Sequence, residues 1–235
     1  MPHLGLWRGL VGGAVLAGCI ALLAGQARAD IVEFVPQPPI AAGARTAPVA
    51  PSLFGTVALP TTAPRYVAGW RRAGLDASAQ PSMQRLIAPA RELSRERQIA
   101  YVQAEVNRNI LLVPDSIAWG VDDYWASAAE TLQRGAGDVE DRAIVKMQAL
   151  RSLGFPAREL YLTMGRDTFG RPTTMLLVRL GRRFYVLDDL GGRPVPAGLR
   201  QGFEPTLTLG LNAAWIHGHR LAASDRTAVA TSAAR

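Results

Sequence analysis

The chain has 235 residues, with 26 basic and 19 acidic side chains, a formal charge of +7 and a single cysteine. One cysteine excludes an internal disulfide framework and a thiolate metal centre. The positive charge is nearly all arginine, Lys146 being the only lysine. It is scattered (Arg71, Arg72, Arg95, Arg97, Arg182, Arg183), whereas a nucleic-acid surface needs a concentrated basic patch, so no nucleic-acid partner is expected.

Residues 1–29 begin with Arg8, continue through an apolar stretch at 10–24, and end in Ala27-Arg28-Ala29 before Asp30. That is the layout of a cleaved secretory signal. The apolar stretch is shorter than the roughly 20 residues of a spanning helix. A periplasmic or secreted protein without a transmembrane segment after cleavage is therefore expected. Leu16-Ala17-Gly18-Cys19 also reads as a lipoprotein box in which Cys19 would be acylated, but the apolar residues Ile20, Ala21, Leu22 and Leu23 that follow favour cleavage after Ala29. On either reading the folded domain has no thiol.

Residues 30–62 are rich in Pro, Ala and Thr (Pro36, Pro38, Pro39, Pro48, Pro51, Pro60) and read as an extended leader or linker. Residues 63–220 form the expected domain, and 221–235 a small, polar, disordered tail. Within the domain, Ile99, Val102, Val106 and Ile110 recur at helical spacing, which predicts a helix over 94–109, stopped ahead of Pro114. Ser127-Ala128-Ala129-Glu130 is a capping box for a short helix closed at Gly135. The strongest helix spans 138–153, with Val139, Ala143, Met147 and Leu150 on one stripe. Asp138, Glu140 and Asp141 sit at its positive end.

The period then changes. Residues 160–164, 173–180 and 184–187 read as three strands joined by turns at 165–170 and 181–182. Helices followed by an antiparallel meander give an α+β fold, with helices packed on an antiparallel sheet.

Tyr124-Trp125-Ala126-Ser127, Gly137-Asp138-Val139-Glu140-Asp141, Leu153-Gly154-Phe155-Pro156 and Val186-Leu187-Asp188-Asp189 together resemble the bacterial transglutaminase-like cysteine peptidases. Phe54-Gly55-Thr56 and Trp119-Gly120 fit the upstream part of that family. The resemblance implies a papain/transglutaminase-like fold, with a cysteine nucleophile at a helix N-terminus, where the dipole stabilises a thiolate. A histidine on a following strand and an orienting acid on the next would complete the triad. The family motif reads Gly-Asp-Cys-Glu-Asp, so Val139 stands at the cysteine position. Thr173 stands at the histidine position, or Thr174 if the register shifts by one, and Asp188 at the acid.

Valine has no lone pair and no ionisable proton, so the resemblance implies a homologue without its thiol chemistry. Asp188 as a lone general base would leave open a periplasmic hydrolase of non-thiol chemistry. Otherwise the expectation is a pseudopeptidase that binds a peptide or protein partner in the cell envelope. In some relatives the acids beside the nucleophile hold calcium, which makes Asp138, Glu140 and Asp141 candidate ligands. The alternative for these acids is helix capping and pairing with Arg134 or Arg142. His217 and His219 form a His-Gly-His pair near the C-terminus, read as exposed polar residues.

Overall fold

The computed structural model of the chain describes residues 50–63, 66–210 and 212–220. The expected signal segment, most of the leader and the tail beyond residue 220 lie outside the described residues.

The first strand, β1 (Val57–Thr61), falls inside the stretch expected to be leader. Two short helices follow, α1 (Val67–Ala73) and α2 (Pro81–Ile87), and then the long helix α3 (Arg95–Asn109). Ser94 caps α3 by accepting from Arg97 N–H, and Ile99, Val102 and Val106 form its buried stripe. A short strand β2 (Leu111–Leu112) pairs in parallel with β3 (Ala136–Gly137). Between them lie α4 (Asp115–Ala118) and α5 (Ala128–Arg134). The capping box of α5 is complete: Ser127 N–H donates to Glu130 Oε2 at 2.7 Å, and Glu130 N–H donates to Ser127 Oγ at 3.3 Å. Exchange of such a cap for alanine costs about 1 kcal/mol.

Helix α6 (Val139–Ser152) is buried over most of its circumference, from Asp141 to Leu150. A helix with so little exposed surface is central to its domain. After it the chain builds β4 (Leu160–Asp167), β5 (Pro172–Leu180), β6 (Arg183–Leu187), β7 (Val195–Pro196), β8 (Phe203–Leu209) and β9 (Ala214–Gly218). With β1 they form one seven-stranded sheet in the order β1-β9-β8-β4-β5-β6-β7, antiparallel throughout.

Side chains alternate between the faces of a strand, and the two faces carry different cores. Leu160, Leu162, Leu176, Val178 and Leu187 pack with the helices. Tyr161, Met175, Leu177, Val186 and Trp215 form the core of the opposite face, covered by Phe203, Phe54 and Ala197. The expected α+β architecture, with helices on an antiparallel sheet, is the one observed. None of the described helices is long and apolar enough to cross a membrane.

Candidate functional site

A cleft of about 510 Å³ opens where the N-terminus of α6 meets β4, β5 and β8. Its wall includes Asp138 and Glu140 from the start of α6, Thr173 and Thr174 from β5, Tyr66 and Trp125, Asp115 from α4, and the loop carboxylates Asp122 and Asp123. Gly165 also lines it. A Cβ there would lie 2.2 Å from Glu204 O, so only glycine lets β4 and β8 meet at this point. The register of β4 against β8 shifts between Met164 and Gly165, and Thr206, the residue skipped by the shift, also lines the cleft. Bulges of this kind re-aim a side chain beside a site.

The acids are held by their backbone. Asp138 caps α6, its Oδ1 accepting from Asp141 N–H at 3.1 Å. Asp141 is fully buried, accepting from Ala126 N–H at 2.8 Å and from Trp119 Nε1–H at 3.2 Å. A Cβ at position 137 would meet Asp141 Oδ2 at 2.6 Å, which accounts for Gly137. Asp115 accepts from Tyr124 N–H at 2.6 Å through Oδ2, while its other oxygen, Oδ1, is buried with no hydrogen-bond partner. One oxygen from each of Asp115, Asp138 and Asp141 lies within 4.8 Å of the others.

Three carboxylates this close oppose one another's ionisation. Burial, reinforced by the Glu140 carboxylate, pushes Asp138 up to about 8. Burial and the charge of Asp138 push Asp141 up to about 7. Burial also raises Glu140 and Asp115 above their ordinary values. No arginine pairs with these acids among the described residues. Arg142 instead donates to Ile110 O and reaches Asp189, and Arg134 stacks over the Trp119 ring.

The positions singled out in the sequence are thus distributed unevenly. Asp138, Glu140 and Thr173 share the cleft wall. Val139 is half-buried as the first residue of α6 and is not part of the wall. Thr174, two residues from Leu176 and four from Val178, shares their face toward the helices. Its hydroxyl donates to Glu140 Oε1 at 3.0 Å. Thr173 belongs to the alternate set with Met175 and Leu177.

Asp188 is buried outside the cleft, where it pairs with Arg200 Nε at 3.0 Å and accepts from Leu190 N–H at 3.1 Å. Its neighbour Asp189 is the acid that meets α6, through Lys146 Nζ at 3.2 Å and Arg142 Nη1 at 3.3 Å. The two histidines are separate. His217 is held between Thr56 and Thr208 at 2.8 Å each, and exposed His219 lies 3.9 Å from Glu204.

Asp115, Asp122 and Asp123 were not singled out in the sequence as site residues. The signal for Asp122 and Asp123 was an acidic pair in the loop between Trp119 and Trp125, and Asp115 lies just ahead of it after Pro114.

A central helix packed on an antiparallel sheet, with a cleft at the helix N-terminus, defines a cysteine-proteinase type of α+β domain. Residues 73–193 match the family model described as bacterial transglutaminase-like cysteine proteinase, and the chain belongs to that family. Among solved structures it is similar to Legionella pneumophila LapG, with 24% identity, 63% of this chain and 85% of that chain covered, and a TM-score of 0.50. A calcium-bound form of L. pneumophila LapG is similar at 22% identity, covering 70% of this chain and 97% of that one, with a TM-score of 0.51. An EGTA-treated form gives 23% identity, 70% and 90% coverage, and a TM-score of 0.51. No curated protein matches the chain.

Proposed function

We propose that this chain is an exported, non-catalytic member of its family that holds a calcium ion at the N-terminus of α6 and binds a peptide or protein partner of the cell envelope in the adjoining cleft. The observation that carries the reading is the pairing of Val139, at the family's cysteine position, with an intact carboxylate cluster beside it. The only cysteine, Cys19, belongs to the segment read as the signal.

The cluster fits the ion. Asp115, Asp138 and Asp141 offer hard oxygen donors, Asp115 Oδ1 is buried without a partner among the described residues, and burial together with neighbouring carboxylates holds the Asp138 and Asp141 pKa values up. Calcium takes about six to eight oxygens, so these three residues would supply part of its shell. Bound there, the ion would offset most of the cluster's charge and tie the start of α4, which carries Asp115, to α6. The calcium-bound form of L. pneumophila LapG supports the choice of metal.

Non-thiol hydrolysis with Asp188 as base is disfavoured, because that carboxylate is engaged by Arg200 away from the cleft. Incubating the purified chain, begun at Asp30, with a random peptide library in calcium tests the reading. Mass spectrometry should find peptides retained and intact. Calcium-dependent cleavage that disappears in Asp188→Ala would overturn it.

A further inference from the structure

We propose that the cleft selects a peptide segment bearing a lysine or arginine side chain, an inference that rests on the peptide-binding reading above. The chain as a whole is basic, yet this cleft is acidic. Among the described residues, Asp115, Asp122, Asp123, Asp138 and Glu140 line it against one cation, Arg166. Arg166 donates to Gly170 O at 2.7 Å, which ties its guanidinium to the β4–β5 turn.

A divalent ion held by Asp115, Asp138 and Asp141 leaves Asp122 and Asp123 without a counter-charge, while Glu140 is engaged by the Thr174 hydroxyl. Asp122 and Asp123 are exposed and make no ion pair or hydrogen bond among the described residues. At the floor, Asp115 is 5% exposed and its partnerless Oδ1 is an oxygen the ion would take, so the demand for positive charge left to a peptide lies at the mouth.

The wall chemistry agrees with a cationic side chain on an apolar stem. The Tyr66 and Trp125 rings stand 5.7 Å apart, tilted by 33°, and both line the cleft. Trp125 is buried, with Gly69 close against its ring, so the half-buried Tyr66 is the part of the pair against which the methylenes of a lysine would pack. Met164 and Pro172 extend the apolar side, and Thr173 and Thr206 offer hydroxyls to a peptide backbone. A low-dielectric wall lined by one sign of charge also raises the local concentration of the opposite charge.

Fluorescence anisotropy tests this with labelled Ala/Gly-rich peptides that carry a central Lys, Gln or Glu, added to the full mature chain in calcium. The Lys peptide should bind roughly tenfold tighter than the Gln peptide, and the Glu peptide weakest. In Asp122→Asn/Asp123→Asn the Lys preference should shrink by roughly three- to tenfold while Gln-peptide binding holds, because each exposed pair contributes little by itself. Equal affinity for the three peptides would overturn the selectivity and leave the peptide-binding reading standing. Binding of no peptide at all would overturn both. Lysine amide binding as tightly as the Lys peptide would make this a site for small amines and likewise overturn the proposal.

Discussion

The Thr174 hydroxyl donates to Glu140 Oε1 at 3.0 Å, joining β5 to the first turn of α6. A threonine hydroxyl does not titrate in the physiological range, so the contact is a fixed one. It also orients Glu140 beside Asp138. Loss of the hydroxyl in Thr174→Val removes one partner of a buried acceptor, and should lower stability by about 1–2 kcal/mol. Denaturant unfolding checks this, and an unchanged midpoint would mean that the bond is not formed in solution.

Without calcium, the carboxylate cluster makes stability depend on pH in an unusual direction. Asp138 and Asp141 are raised to about 8 and about 7 from an ordinary carboxylate value of 3.8. Across that interval the folded state therefore binds protons that the unfolded chain has released. Stability contributed by these groups is present at low pH and lost as pH rises through their folded values. Melting temperature in EGTA should therefore fall between pH 6.5 and 8.5. Calcium, which requires ionised ligands, should raise it most at the upper end. A melting temperature in EGTA that climbs over this range would refute the assignment, as would the same calcium response in Asp115→Asn.

His217 works on the acid side. Burial lowers its pKa. Thr56 Oγ1 donates to Leu53 O, so it accepts from His217 Nδ1–H, which leaves Nε2 to accept from Thr208. The folded state thus prefers the neutral ring, while the unfolded histidine gains a proton below its ordinary value near 6.5. Stability should decline as pH drops through 6.5 toward the lower folded value. The decline should be smaller in His217→Gln, measured by chemical denaturation at pH 7 and pH 5. Equal losses in the two proteins would show that the ring does not titrate on unfolding.

Behind the cleft, Asp189 neutralises two nearly buried cations, Arg142 and Lys146. Burial lowers the Lys146 pKa, and Asp189 opposes that shift. Asp189→Asn would leave both charges short of a counterion, with an expected cost of about 3 kcal/mol. Lys146→Met, which removes the buried charge together with its desolvation, should cost less. If the order of the two midpoints is reversed in urea, the trio is not the stabilising element described.

Much of the fold was legible where the periodicity was strong. The helix expected at 138–153 is Val139–Ser152, and the one expected at 94–109 is Arg95–Asn109. The three expected strands match β4, β5 and β6, with β4 running on to Asp167. Strands β1, β8 and β9 were missed. Pro60 and Pro205 interrupt the first two, and β9 is too short to show alternation before it pairs.

The site was half legible. Asp138 and Glu140 announce themselves beside the helix start, whereas Asp115 is brought to them only by the α4 loop. The choice between Thr173 and Thr174, and the side on which Asp188 and Asp189 fall, depends on strand register. A shift of one residue in a period of two reverses the face.

The central proposal is that Val139 stands at the nucleophile position of a site whose chemistry has been lost, with the base position at Thr174, one residue on from the Thr173 that the sequence motif indicates. Its most direct test is the alkylation rate of the introduced thiol in Val139→Cys/Thr174→His, measured with iodoacetamide near pH 6.5. The account predicts faster labelling than free glutathione, with the advantage absent in Val139→Cys/Thr173→His because Thr173 lies on the alternate face of β5. Labelling no faster than glutathione in the Thr174→His protein, or faster in the Thr173→His one, would contradict it.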